Sequence, residues 1–145
     1  MVRFGARIGS GLIALSIAFQ GISAAPAARG RELTELEAQS LVQEVISATL
    51  PGVTLDPSPN NSRQEGPDKD FYGFDALAAN PGGGALVDIY VVNRWTGDVW
   101  EALGSTCTRV NTVSLAKRQR AMRRQHGLSL QAYARLREDK PVECE

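Results

Sequence analysis

Apolar and polar positions recur along this chain with two different periods, and the changes of period divide it into elements. In ELEAQSLVQEVISAT, starting at Glu35, apolar side chains return at Ala38, Leu41, Val42, Val45 and Ile46, with Thr49 in line behind them, while Glu35, Gln39 and Glu44 point elsewhere. That spacing is one face of a helix. Thr34 with Glu37 three residues later forms a capping box, in which each side chain satisfies a free backbone amide of the other residue, and Leu50-Pro51-Gly52 ends the run. The period then shortens to two. FYGFDALAA, from Phe71, places Tyr72, Phe74 and Ala76 on one face of a strand and Gly73, Asp75 and Leu77 on the other. After the turn sequence NPGGG, ALVDIYVVN is the densest β-branched run, with Ala85, Val87, Ile89 and Val91 expected inward and Asp88 and Tyr90 outward. DVWEALG is its expected partner, with Trp100 across from Tyr90 or Val92. A turn at Arg94, Trp95 and Thr96, closed by a left-handed Gly97, joins the two as a β-hairpin.

Between helix and sheet, VTLDPSPNNSRQEGPDKD offers a short edge strand at Val53 to Leu55 and then a polar connector rich in Pro, Asn, Asp and Gly. Helical spacing resumes after Cys107. TVSLAKRQRAMRRQHG has Thr112 or Ser114 as its N-cap, a thin apolar face of Leu115, Ala116, Gln119 and Met122, and Gly127 as its C-cap. Ser129 caps a second helix, LQAYARLRED, in which Leu130, Tyr133 and Leu136 are expected to turn toward the core before Pro141 stops it. The order predicts an α+β fold: an N-terminal helix packed on an antiparallel meander sheet, with a C-terminal helical hairpin about Gly127. Residues 33–145 make one domain of this kind, behind a small, polar and flexible lead at 25–32.

The first residues change where this domain is expected to work. Arg3 and Arg7 precede an apolar run from Gly11 to Phe19 and the small residues Ser23, Ala24 and Ala25, the pattern of a secretory signal with cleavage after Ala24. The run is shorter than the roughly 20 residues needed to span a bilayer. Periplasmic or secreted location follows. The formal charge of zero is then misleading: without Arg3 and Arg7, 14 basic residues face 16 acidic ones, and the mature chain carries −2. In an exported chain, Cys107 and Cys144, the only cysteines, read as a structural disulfide with a typical stabilisation of about 2–4 kcal/mol.

Chemistry is sparse. His126 is the sole histidine, so a cysteine nucleophile with a histidine base is poorly supported, and no close Cys/His spacing suggests a metal. No catalytic residue, cofactor or metal is expected. Two features instead point to a binding surface. Arg94, Trp95 and Thr96 would form the hairpin tip, where tryptophan and arginine are the residue types that dominate interface hot spots, unless Trp95 folds back on the sheet or a helix. Lys117, Arg118, Arg120, Arg123 and Arg124 then line a helix with no acid among them. That helix is either a solvated face favouring the negative end of its own dipole or a contact for an acidic partner or anionic polymer. An exported chain of negative charge argues against nucleic acid.

At this point the chain resembles the cystatin-like and PepSY-like group of small exported bacterial domains, through DIYVVNRWTGDVWE from Asp88 to Glu101. The resemblance implies mostly non-catalytic roles: protease or lysozyme inhibitors, immunity proteins that block an envelope-degrading toxin, or regulatory modules. No Gln-x-Val-x-Gly inhibitory loop is present, which argues against thiol-protease inhibition. The expectation is therefore an exported binding module, an inhibitor or immunity protein whose partner is another protein such as an envelope hydrolase or toxin. Two alternatives stand beside it. One is an envelope-associated structural protein resting its basic helix on a membrane surface or anionic polymer; the other is a hydrolase using Asp70, Asp75 and Asp88.

Overall fold

A computed structural model describes residues 29–56, 69–79, 84–104 and 106–141. Helix α1 (Glu35–Thr49) lies across a five-stranded antiparallel sheet of β1 (Val53–Leu55), β2 (Phe71–Ala78), β3 (Ala85–Asn93), β4 (Val99–Glu101) and β5 (Thr108–Arg109). The strands follow one another in sequence order across the sheet, a simple meander, and α2 (Val113–Gln125) and α3 (Leu130–Leu136) close the chain. The predicted fold class holds. The signal segment, most of the polar connector and Cys144 lie outside the described residues.

Local chemistry starts α1 where expected. Thr34 Oγ1 accepts the Glu37 amide at 3.3 Å, and Glu37 Oε2 accepts the Thr34 amide at 2.7 Å. Ala38, Leu41, Val42, Val45 and Ile46 are the helix's buried residues, and they meet Tyr72, Phe74 and Ala76 of β2 in the main core. Leu115 is all that α2 contributes to the fully buried part of this cluster.

The inward face of β3 is the opposite of the one predicted. Tyr90 and Val92 point at α1 and are fully buried, with Asp88 on the same face, whereas Val91 joins Phe71 and Trp100 in a second cluster on the far side. Because β2 pairs Phe74 with Tyr90 and Tyr72 with Val92, the aromatic face of one strand dictates the face of the next. A run that is β-branched at both alternate positions carries no phase of its own. For the same reason Trp100 stands opposite Val91 rather than Tyr90 or Val92.

Two further corrections concern the C-terminal half. The chain makes a short strand, β5, before α2, pairing Arg109 with Trp100. Helix α3 stops at Leu136, and of the residues expected to turn inward Leu130 is 88% exposed while Ala132 is the buried one. With Leu128 already filling the adjoining space, α3 rotates its small face toward the body.

Candidate functional site

The hairpin turn is built as predicted but does not project. Asn93 Oδ1 accepts the amides of Trp95 and Thr96 at 2.9 Å each, and Gly97 takes φ +69°. A side chain at Gly97 would be strained there and would also meet Leu41 Cδ1 at 3.2 Å. Arg94 and Thr96 are buried, and Trp95 keeps only partial exposure. Arg94 lies over the Tyr72 ring at 5.0 Å, donates to the Lys69 carbonyl at 2.6 Å and pairs with Glu32. Trp95 Nε1 donates to Asp70 Oδ1 at 3.1 Å. The exposed tip expected from the sequence is thus folded back, because acceptors from residues 32, 69 and 70 surround it.

The five cations of α2 divide. Thr112 is the N-cap, accepting the Leu115 amide at 3.2 Å, and Gly127 ends the helix with φ +73°. Arg118 is fastened to α1 through Glu44 at 3.0 Å and both oxygens of Ser40. Arg123 donates to the Thr96 carbonyl at 2.6 Å and to Asp98 Oδ1 at 2.7 Å, with its guanidinium 3.8 Å from the centre of the Tyr133 ring. Arg123 thereby ties α2 to the hairpin turn and α3, while Arg118 stays exposed in a surface contact with α1. Lys117, Arg120 and Arg124 are exposed and form no ion pair with any described residue.

Arg120, Arg123 and Arg124 open onto a cleft of about 590 Å³ between β5, α2 and α3. Two arginines that the sequence reading passed over complete it: Arg109 from β5 and Arg137 from the end of α3. Arg109 stacks 4.6 Å from the Trp100 ring and donates to the Arg137 carbonyl, and Arg137 lies 5.8 Å from the Tyr133 ring. Asp98 is the one acid in the lining, held by Arg123 and 3.9 Å from Arg109. The floor is Val110, Leu128 and the Tyr133 ring. Lys117 and the hairpin tip take no part. A hint was present in Tyr133 and Arg137, four apart on one helix; the place of Arg109 depends on an unpredicted strand.

On another side of α2 a charged node ties the start of the domain down. His126 Nε2 lies 2.9 Å from Glu37 Oε1 and 2.7 Å from the Arg31 guanidinium, while Nδ1 faces the Arg31 carbonyl at 3.1 Å. The Arg31 amide also donates to the His126 carbonyl at 2.7 Å, and a Cβ on Gly30 would come within 2.5 Å of that carbonyl. The last residues of the expected lead are therefore fastened to the body. Burial acts to raise the Glu37 pKa, but hydrogen bonds from the Thr34 amide, Arg31, His126 and the Thr34 hydroxyl prevail and bring it from the ordinary 4.5 down to about 2. A depressed carboxyl pKa stabilises the fold fully above its unfolded value and loses that effect as pH falls through its folded value. The stability difference between the wild type and Glu37→Gln, followed by thermal unfolding against pH, is expected to hold above 4.5 and to shrink toward about 2.

The carboxylates of the hydrolase alternative are not brought together. Asp70 is taken up by Trp95, and Asp75 and Asp88 lie on opposite faces of the sheet. Asp88 instead acts on Glu101, which the sequence reading overlooked; burial first and then Asp88 raise the Glu101 pKa above its ordinary value. Burial and the same two acids push the Tyr90 hydroxyl upward as well. Among the described residues no cluster of His, Cys, Asp or Glu is placed to hold a metal ion, and no helix is long and apolar enough to cross a membrane. Cys107 packs against the Phe71, Val91 and Trp100 cluster.

No family model matches the sequence, and no curated protein does either. A solved structure does. The fold matches a chain in the structure of a type VI secretion system effector-immunity complex from Pseudomonas protegens, with a TM-score of 0.56 and 25% sequence identity over 79% of this chain and 91% of that one.

Proposed function

We propose that this protein is an exported, non-catalytic immunity-type inhibitor that binds and blocks a toxin acting in the cell envelope. The observation that carries this reading is the likeness to a chain of an effector-immunity complex, which extends over nine-tenths of that chain. The separation of Asp70, Asp75 and Asp88 favours the inhibitor over an enzyme of the hydrolase type. An arginine-lined concavity at the open edge of the sheet supports binding of another protein. The resemblance of Asp88 to Glu101 to exported inhibitor domains points the same way.

Export rests on the N-terminal pattern of Arg3, Arg7 and the apolar run that follows. Export in turn supports a Cys107–Cys144 disulfide, which would tie the C-terminus to the aromatic cluster behind the sheet. The partner surface that remains free after folding is Trp95 in part, together with Arg120, Arg124 and Lys117; Arg94, Thr96, Arg118 and Arg123 act chiefly by holding the elements that carry it.

The test is a contact-dependent competition between the strain that carries this gene and a deletion derivative. The derivative is expected to be killed by its parent, and to be rescued by the full chain but not by one lacking residues 1–24. The rescuing protein, recovered from the envelope, should begin at Ala25 and hold both cysteines oxidised. Undiminished survival of the deletion derivative would refute the immunity role, and rescue by the leaderless chain would move it out of the envelope.

A further inference from the structure

We infer that the cleft between β5, α2 and α3 receives an acidic segment of the partner protein, with Arg120, Arg124 and Arg137 gripping its carboxylates. The inference rests on the immunity reading and names the site and the chemistry of the contact. Charge carries it first. Among the described residues five arginines surround the cleft against one acid, and that acid, Asp98, is already paired with Arg123 at 2.7 Å. Arg120 and Arg124 have no ion-pair partner among the described residues, and Arg137 shares only the exposed Glu138 at 3.4 Å, a surface pair of little strength. Guanidinium groups present fixed donor forks that match carboxylates, so three of them around one cavity are built to accept more than one acidic side chain.

Shape carries it second. A membrane surface asks for cations spread over one convex face, whereas here the arginines turn into a concavity floored by Val110, Leu128 and the Tyr133 ring. That floor suits the aliphatic stem of a glutamate or an apolar neighbour of it. Leu130, 88% exposed on the cleft lining, offers an apolar contact beside the charges. Arg123 is a positioning residue: pinned between Asp98, Thr96 and Tyr133, it holds α2 and α3 at the separation that leaves the cleft open.

The experiment uses the chain expressed from Met1 and purified as it is processed, with two probes. In the first, arginine side-chain NMR signals are followed while hexaglutamate is added, with hexaglutamine and vesicles of roughly one-quarter phosphatidylglycerol as parallel arms. Saturable shifts at Arg120, Arg124 and Arg137 with hexaglutamate alone are expected, and they should vanish in R120E/R124E. In the second, affinity is measured for the toxin that kills the deletion derivative: R120E/R124E should weaken binding by about 100-fold or more. R135E/K140E, which makes the same change of net charge outside the cleft, should stay within about threefold. Because Arg120 and Arg124 are exposed, unchanged thermal unfolding of R120E/R124E will show that folding is not the cause. Toxin binding that is indifferent to R120E/R124E overturns the inference while leaving the immunity role intact. Undiminished survival of the deletion derivative in the competition assay, with saturable hexaglutamate shifts at the cleft, removes the toxin as partner but supports the acidic ligand. Shifts produced by vesicles and not by hexaglutamate overturn the inference in favour of a membrane contact.

Discussion

Asp98→Ala is expected to lower the unfolding free energy by about 3–5 kcal/mol. Asp98 is 4% exposed, and its half-buried partner Arg123 is held between the Thr96 carbonyl, the Tyr133 ring and the carboxylate itself. Removing the acid leaves a largely desolvated guanidinium charge that the little water at the cleft edge compensates only in part. One change would then loosen three elements at once: the hairpin turn through Thr96, α2 through Arg123, and α3 through Tyr133. Urea unfolding of Asp98→Ala, Arg123→Leu and the double variant measures it. The double variant should be less destabilised than the sum of the two single ones, because each single change strands a charge, Arg123 in one and Asp98 in the other, and the double change strands neither. Additive losses would mean that the pair is not coupled and that the cleft is held by packing alone.

Leu41→Ala is expected to cost about 2–5 kcal/mol by the same measurement, through loss of buried area and the void left behind. Leu41 is fully buried at the middle of α1, directly under Gly97 of the hairpin turn, where even one added methyl would come within 3.2 Å of its Cδ1. Helix and turn are therefore fitted to each other at this point. Leu41→Met, which nearly conserves volume, should lose less than about 1.5 kcal/mol. An equal loss in both would locate the sensitivity in side-chain shape rather than in the cavity.

The two effects have a common functional meaning. Arg123 and His126 show that α2 is docked by polar contacts as well as by its thin apolar face, from which Leu115 alone enters the fully buried core. A helix held in this way can keep Arg120 and Arg124 pointed into the cleft without burying them. The arginines that look alike along KRQRAMRR thus do different things. Position on the helix decides which.

Legible in the sequence are the features set by neighbours within a few residues: the capping box of Thr34 and Glu37, the end of α1 at Leu50, the glycines that close the hairpin turn at 97 and α2 at 127, the cap at Ser129, and the meander implied by short strands joined by turns, whereas the start of α2 is narrowed only to Thr112 or Ser114. Each is legible because its energy comes from local backbone geometry and hydrogen bonds. Packing, in contrast, set the features that depend on partners distant in the chain. The face of β3 came from its pairing with the aromatic positions of β2. The burial of the hairpin tip came from Glu32, Lys69 and Asp70, which no spacing places beside Arg94 and Trp95. The arginine cleft needed β5, α2 and α3 brought together, and β5 is a two-residue strand that owes its existence to pairing with β4. Periodicity reports which side chains share a face; only the packed chain reports what that face meets.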